Sequence, residues 1–286
     1  MNKIKTLFLG LVFMVAIALM SFAIEKDNKE DILNFKDFEK SLVPLKGNIY
    51  ACKYEVSNTL YREFINSLIK EGKSDLLKVA MVDSLNWRDK LAYNEPYVQF
   101  YFRHPAYDNY PVVNVTYEGA NLFCKWLTDV YNANPKRKYK KVTFRLPSEK
   151  EWEVAAKGGL DANQYPWGNT LFQNGHYMCN FKQIGDEDIK YDTLTKKFVV
   201  EYTGKSGIRG FLNDNADITA PVDSYFPNTF GIYNICGNVA EMVKEKGLCR
   251  GGGWKDAGGD VKISSKRYYT KSATDIGFRF FMEVGE

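Results

Sequence analysis

Side chains that commonly carry redox or metal chemistry are few in this chain of 286 residues. The cysteines and histidines are Cys52, Cys124, Cys179, Cys236, Cys249, His104 and His176. The cysteines form no C-x-x-C pair, so their spacing matches no zinc pattern. The histidines form no H-x-x-x-H pair, and the sequence has no G-x-S-x-G elbow for a nucleophilic serine. Most of these cysteines are therefore interpreted as small buried apolar residues.

Three helices are predicted by hydroxyl residues at their starts and by apolar residues at helical spacing. The predicted N-caps are Ser57, Thr116 and Ser148. The residues expected to face the core are Leu60, Phe64, Ile65 and Leu68, then Ala120, Phe123 and Leu127, then Trp152, Ala155 and Ala156. Ser148 forms an S-x-x-E capping box with Glu151. Gly72 and Gly158 are expected to end the first and third helices.

The rest of the chain predicts short elements joined by irregular segments. Residues 73–109 are rich in aromatic side chains without a clear period, which indicates a loop region with short elements. The segment Pro111–Val115 predicts a short strand. Residues 183–210 are interpreted as a charged insertion, with a hairpin around Lys196-Lys197. From Pro221 onward, Gly, Asn and Asp interrupt only short apolar runs.

The N-terminus has the three parts of a secretory signal. A basic start (Lys3 and Lys5) precedes an apolar core (Leu7–Met20) and a small-x-small site at 21–23. A membrane anchor is the alternative, but this apolar run is short and has no basic stop after it. We expect a signal peptide at 1–23, an arm or linker at 24–42 and one domain at 43–286. The protein would be exported to the periplasm or cell envelope, with no membrane span after cleavage.

The charge of the chain gives little indication of a partner. Its 39 basic and 35 acidic residues leave a net charge of +4. Such a balance implies neither nucleic acid nor an acidic partner.

Five motifs follow one another in fixed order. They are RLPSEKEWEVAAKGG (Arg145–Gly159), YPWGN (Tyr165–Asn169), APVDSYFPNTFGIYNICGNVAE (Ala220–Glu241), RGGGW (Arg250–Trp254) and GFRF (Gly277–Phe280). Together they resemble the formylglycine-generating enzyme family, also called the sulfatase-modifying-factor domain. The resemblance extends from about Tyr54 to Phe280. It implies an α+β, C-type-lectin-like fold with two helices beside small twisted sheets and much irregular structure.

One further segment narrows the resemblance. YFRHPAYDNYPVV (Tyr101–Val113) is similar to a branch that holds the outer-membrane ring lipoproteins of gliding motility and type IX secretion. Those members are longer and lipidated, and no cysteine directly follows the apolar core here. The assembly role of that branch is therefore not carried over to this chain.

The resemblance implies two calcium sites as cofactor sites. The first would use Asn180, Phe181, Asp214 and Ala216; the second would use Asn234, Gly237, Val239 and Glu241, with Glu55 at a further ligand position. Calcium binds six to eight hard oxygens, from carboxylates, amides and backbone carbonyls alike. Asn234 and Glu241 would give side-chain oxygens, and Gly237 and Val239 would give carbonyls. The alternative is that these Asn and Asp residues only form turns and helix caps.

The catalytic residues of that family are missing. Its oxidase uses two thiols between the RGGSW-like and GFR motifs to bind Cu(I), a metal that prefers soft thiolate ligands. This chain has no cysteine from Lys255 to Gly277, and the two positions fall at Asp256 and near Val261. We therefore expect no copper and assign no catalytic residue. The family's structural disulfide is also expected to be missing, because the partner position of Cys124 is Phe280.

The sequence thus favours an exported, calcium-stabilised, non-catalytic domain of this family. It would act as a structural or binding module of the cell envelope, with an envelope protein or a small ligand as partner. Two alternatives stay open. One is an oxidase that converts a cysteine of exported sulfatases to formylglycine, and the other is a lectin-like module that binds a ligand through aromatic side chains.

Overall fold

The structure is a computed structural model that describes residues 34–88, 93–161, 163–182, 187–202 and 216–285. The chain divides into two compact units, Met1–Phe38 and Glu39–Glu286. The predicted signal peptide and most of the predicted N-terminal arm lie outside the described residues. Within the described ranges, no helix is both long enough and apolar enough to cross a membrane.

Among the described residues the helices and strands are short, and all except the first helix lie within the second unit. The helices are α1 (Phe35–Lys40), α2 (Asn58–Lys70), α3 (Ser74–Ala80), α4 (Glu95–Phe100), α5 (Tyr117–Ala133) and α6 (Glu149–Lys157), with 3-10 turns at Ser84–Trp87 and Pro105–Tyr107. The strands are β1 (Leu42–Pro44), β2 (Ile49–Cys52), β3 (Val142–Arg145), β4 (Phe172–Gln173), β5 (His176–Tyr177), β6 (Glu187–Asp192), β7 (Lys197–Tyr202), β8 (Ala240–Met242), β9 (Leu248–Arg250), β10 (Lys266–Tyr268), β11 (Ile276–Gly277) and β12 (Phe281–Val284). These elements confirm the predicted α+β class.

Two four-stranded sheets organise the unit. In the first sheet the strand order is β1-β2-β12-β3, and all neighbours are antiparallel. Its C-terminal strand β12 lies between β2 and β3, so the end of the chain closes the sheet. In the second sheet the order is β10-β9-β8-β11, and β11 runs parallel to β8. This second sheet carries Glu241 on β8, Cys249 on β9 and Arg267 on β10.

The three predicted helices are confirmed as α2, α5 and α6. Each N-cap hydroxyl accepts a backbone N–H: Ser57 from Leu60 at 3.3 Å, Thr116 from Gly119 at 3.0 Å and Ser148 from Glu151 at 3.3 Å. The capping box closes because Glu151 Oε2 accepts the N–H of Ser148 at 2.8 Å. Gly158 follows α6 with φ +56°, which is the left-handed conformation expected of a C-terminal stop.

A cluster of aromatic rings fills the space between α2, α5 and the GFRF segment. The rings of Tyr61 and Phe123 stack at 5.6 Å, and Phe278 packs edge-on against both. The hydroxyl of Tyr61 donates to the carbonyl of Ala80 at 2.8 Å, so its polar end is also satisfied. Sequence reasoning placed Leu60 on the core face of α2, but Tyr61 is the fully buried residue there and Leu60 is half-buried.

The prediction of a strand at Pro111–Val115 is wrong. Only an isolated bridge between Ser57 and Pro111 forms, although residues 111–115 are all buried. Asn114 has φ +62°, which breaks the extended run, and its N–H donates to Ala273 O at 3.2 Å instead of to a ladder partner.

The predicted hairpin is confirmed, because β6 and β7 pair and Lys196 lies in the turn between them. The flanks of that insertion, 183–186 and 203–210, lie outside the described residues.

Candidate functional site

The loop before β8 turns sharply through three residues with positive φ. These are Asn234 at +48°, Gly237 at +81° and Asn238 at +63°. A Cβ on Gly237 would lie 2.6 Å from the carbonyl oxygen of Asn180. Only glycine therefore permits this approach. The loop containing the second predicted calcium site thus packs directly against the segment that begins the first.

Asn238 joins these segments and was not singled out from the sequence. Its Nδ2 donates to Glu55 at 2.9 and 3.1 Å, and its Oδ1 accepts the N–H of Ala220 at 2.7 Å. The amide of Asn180 also donates to Oδ1 at 3.3 Å. The fully buried Asn238 side chain therefore bridges three parts of the chain that are distant in sequence. The only sequence signal was its place inside the GNVAE motif.

Glu55 is a buried carboxylate beside this amide. Asn234 Nδ2 also donates to it, at 3.2 Å. Burial raises the pKa of Glu55 well above its usual range, against the opposing attraction of Arg279, and Glu241 raises it further. Oδ1 of Asn234 is buried without a hydrogen-bond partner among the described residues. An oxygen of this kind next to a desolvated carboxylate is suited to hold a cation.

Glu241 lies in the same region but is engaged by other groups. Arg279 Nε donates to its Oε1 at 2.7 Å, and Trp152 Nε1 donates to its Oε2 at 2.8 Å. Both members of the Arg279–Glu241 ion pair are fully buried. The remaining guanidinium nitrogens donate to the carbonyls of Cys52, Lys53 and Tyr233 at 2.8–3.1 Å. The structure thus places this predicted ligand against an arginine.

The other predicted ligands are brought together only in part. The Asn180 amide donates to Ile218 O at 2.7 Å, and its backbone oxygen accepts the N–H of Asn238 at 2.7 Å. Phe181 packs in a cluster with Tyr165, Cys179 and Val261. Ala216 lines a cavity on the neighbouring surface. Asp214 lies outside the described residues.

The second predicted calcium site meets the requirements of calcium binding in part. The fitting features are the free Oδ1 of Asn234, the Glu55 carboxylate and the turn at Gly237. Arg279 is already paired with Glu241, so a cation bound beside Glu55 would be the charge that favours the ionised form of that buried carboxyl. In the described part of the chain, no three His, Cys, Asp or Glu side chains group around one point as a metal cluster would.

All five cysteines lie in the described residues as free, buried thiols. Burial raises the pKa of every one of them: that of Cys249 rises to about 12, and those of Cys52, Cys124, Cys179 and Cys236 are raised as well. At neutral pH these groups are protonated. A protonated, buried thiol is neither a nucleophile nor a good metal ligand.

Asp256, the residue predicted at the first thiol position, forms an ion pair. Oδ2 of Asp256 accepts from Arg267 Nη1 at 2.7 Å and from the N–H of Gly253 at 2.8 Å. The same Arg267 nitrogen donates to Asp275 at 2.7 Å. A cavity of about 260 Å³ lies beside this group, and Cys249, Gly252, Asp256, Asp260, Ser265, Lys266 and Arg267 line it. Val261, near which the second thiol position is predicted, is fully buried.

Residues 43–284 match the family model described as the sulfatase-modifying factor enzyme 1-like domain. The chain belongs to this family. It is 37% identical over 137 residues to the formylglycine-generating enzyme of Thermomonospora curvata, which covers 48% of this chain and 34% of that protein. It is 30% identical over 215 residues to the formylglycine-generating enzyme of Mus musculus, with 68% and 48% covered.

Similar proteins also include one described as inactive. The inactive C-alpha-formylglycine-generating enzyme 2 of Bos taurus is 27% identical over 186 residues, which cover 59% of this chain and 49% of that protein. The chain spans half or less of the length of these curated relatives.

Solved structures support the fold. Treponema denticola variable protein 1 has a TM-score of 0.51 at 18% identity, covering 86% of this chain and 91% of that one. PvdO from Pseudomonas aeruginosa has a TM-score of 0.52 at 20% identity, covering 84% and 82%. The α+β fold of this family, which the motifs predicted, is confirmed.

Proposed function

We propose that this protein is a non-catalytic member of the sulfatase-modifying factor family, acting as a structural or binding module of the cell envelope. The observation that carries the proposal is the ion pair between Asp256 and Arg267. It lies where the resemblance places the first copper-binding thiol of the oxidase. Asp256 offers only hard oxygens there, and Arg267 and the N–H of Gly253 already occupy one of them.

No other thiol supports copper chemistry at this place. Two thiolates must converge on one Cu(I), because this soft metal prefers sulfur. Val261 has no donor atom, and Cys249, the cysteine that lines the nearby cavity, has its pKa raised to about 12 by burial. The family contains proteins described as enzymes and proteins described as inactive, so membership alone does not decide between them.

The proposal is tested by incubating the purified protein with Cu(I), O2 and a peptide that carries a Cys-x-Pro-x-Arg motif. We expect mass spectrometry to show no conversion of the peptide cysteine to formylglycine. An active formylglycine-generating enzyme, treated in parallel with the same peptide, is the positive control. Conversion by this protein that disappears in Cys249→Ser or Cys236→Ser would support the oxidase alternative.

Calcium binding in the second loop is part of the proposal. Asn234 Oδ1 and Glu55 would supply side-chain oxygens, and Gly237 and Val239 would supply carbonyl oxygens. Glu241, the remaining predicted ligand, would have to bind the ion while it is held by Arg279 and Trp152. When bound, the ion would hold the 234–241 loop to the segment around Glu55 and thereby stabilise the fold. Ligand saturation at about 100 times Kd adds about 2.7 kcal/mol to the free energy of unfolding.

The calcium proposal predicts a higher melting temperature in calcium than in a chelator, with no such rise in magnesium. Asn234→Ala removes the unpaired oxygen, so the calcium-dependent rise should shrink in this variant. Asn121→Ala is a matched control, because this exposed amide only donates to its own helix at Tyr117 O. Elemental analysis that finds no calcium, together with an unchanged melting temperature, would contradict the proposal.

Export is proposed from the pattern of residues 1–23, with an arm at 24–42 and the domain from 43 to 286. The similarity of Tyr101–Val113 to the gliding-motility and type IX secretion branch supports an envelope location and an envelope protein as partner. Protein isolated from the envelope or periplasmic fraction should begin at Ile24 by N-terminal mass spectrometry. Protein that retains Met1 and stays in the cytoplasmic fraction would contradict this.

A further inference from the structure

A cavity of about 520 Å³ opens between the 3-10 turn at Pro105–Tyr107 and the segment 216–226. Its prominent lining residues are Tyr97, Tyr107, Tyr110, His176, Asp217 and Phe226. The volume is in the range of small-molecule binding sites. None of its lining residues lines the cavity beside Asp256. It is therefore separate from the cavity beside Asp256, although Ala216, a predicted ligand of the first calcium site, also lines it.

The tyrosine wall of this cavity is held in place by the core. The Tyr97 ring packs on Trp87 at 5.2 Å, and the Tyr107 ring packs on Tyr101 at 5.2 Å. Trp87 and Tyr101 are both buried. The buried amide of Asn58 donates to the carbonyls of Tyr101 and Tyr107 at 3.0 and 2.9 Å. A wall fixed in this way loses little conformational entropy on binding.

The described residues that line the cavity give it a negative charge. Among the described residues that line it, Asp217 is the one carboxylate, and none is a lysine or an arginine. Burial raises the pKa of Tyr97, and the negative charge of Asp217 raises it further, so the carboxylate acts on this ring. An anionic ligand would meet no lysine or arginine among these residues.

We propose that this cavity binds an organic cation through an alkylammonium group. The faces of Tyr97, Tyr107 and Tyr110 attract a cation through their quadrupoles, and Asp217 supplies the opposite charge. Two sources offer the same chemistry: a free small amine, or the lysine side chain of a protein partner. This binding goes beyond the structural role and does not depend on whether the oxidase chemistry is absent.

Titration calorimetry of the purified protein tests the charge requirement with two matched ligand pairs. Choline is compared with 3,3-dimethylbutanol, which has the same shape without the charge. Nα-acetyl-lysine amide is compared with its Nε-acetylated form. We expect each cation to bind at least tenfold more tightly than its neutral partner. The stronger of the two cations indicates whether a free amine or a lysine side chain is the natural source.

Substitutions test whether Asp217 and Tyr97 bind the cation. Asp217→Asn should weaken choline binding at least fivefold, and Tyr97→Leu about tenfold. Tyr97→Phe keeps the ring and should keep most of the affinity, which separates cation binding from a folding defect. Asp75→Asn is the control, because Asp75 is 95% exposed and does not line the cavity. Melting curves of each variant establish that it folds.

Three results would overturn the proposal. The first is equal binding of the charged and neutral partners. The second is binding of a neutral disaccharide such as trehalose without binding of either cation, which would indicate a sugar site. The third is no measurable binding of choline or of the lysine amide at tens of millimolar. Each can occur whatever the oxidase assay shows, so failure here is distinct from failure of the proposed function.

Discussion

Arg267 Nη1 lies 2.7 Å from Oδ2 of Asp256, the residue that the sequence motifs predict at the first thiol position of the family's oxidase. The loop after the RGGGW motif is therefore tied to strand β10 by an ion pair. Asp275 accepts from the same nitrogen at 2.7 Å, so one arginine joins both ends of the segment 256–275.

Arg279→Gln should lower the free energy of unfolding by about 3–5 kcal/mol. The change leaves Glu241 as an unpaired, fully buried charge, and this is costly in a low-dielectric interior. Urea unfolding followed by circular dichroism measures the loss. Lys125→Gln is the control: its pair with Asp129 is exposed, so the expected loss is below about 0.5 kcal/mol. Similar losses in the two variants would show that the buried pair does not hold the scaffold.

Gly251→Ala should be much more destabilising than Gly247→Ala. Both glycines have nearly the same positive φ, +84° and +83°, so the backbone strain is matched at about 1–2 kcal/mol. A Cβ at 251 would also lie 2.5 Å from the carbonyl oxygen of Ile235 and 2.9 Å from the Trp152 ring, whereas at 247 the nearest atom is 3.4 Å away. We expect an extra loss of at least about 2 kcal/mol at 251 by urea unfolding. Equal losses would mean that this close approach does not exist.

Glu151→Gln should reduce stability at neutral pH but not in strong acid. Hydrogen bonds from Arg145 lower the pKa of Glu151 to about 2, from an ordinary value of 4.5. A depressed pKa contributes stability that is present above pH 4.5 and is lost as the pH falls from 4.5 towards 2. The difference between wild type and variant should be about 1–2 kcal/mol at pH 7 and disappear near pH 2. A difference that does not change with pH would rule out the charged pair as its source.

The five cysteines should be nearly unreactive in the folded protein. Burial raises the pKa of Cys249 to about 12, and the other four are also buried with raised pKa values. At pH 8, labelling by a disulfide reagent should be at least about 100-fold slower than in denaturant, where five thiols per chain should react. Rapid labelling of one thiol in the folded state would identify a reactive cysteine and reopen the oxidase alternative.

Helix starts could be predicted from the sequence because capping is local. Ser57, Thr116 and Ser148 each accept a hydrogen bond from the backbone N–H three residues later. Both partners therefore fall within the short sequence motif that predicts the helix start. The prediction of a strand at Pro111–Val115 was wrong because a short, buried apolar run has the same local sequence pattern as a strand. Its backbone partners, such as Val56 and Ala273, lie far away in sequence and do not form a ladder.

The sequence predicted which residues would supply oxygen ligands at the polar site. It could not predict which hydrogen bonds and ion pairs those residues form. Glu241 meets Arg279 across 38 residues, and Asn238 meets Glu55 across 183. No local spacing encodes such pairings. The sequence shows that Lys255–Gly277 contains no cysteine, but the role of Arg267 as the partner of Asp256 required the structure.

The most direct test of the account is the Cu(I) affinity of the purified protein, measured by anaerobic competition with a chromophoric Cu(I) chelator. We predict no stoichiometric binding, and no copper in protein isolated from its native host, because the resemblance places the two thiol positions at Asp256 and near Val261. One equivalent of Cu(I) held through sulfur, and lost in Cys249→Ser or Cys236→Ser, would contradict the account.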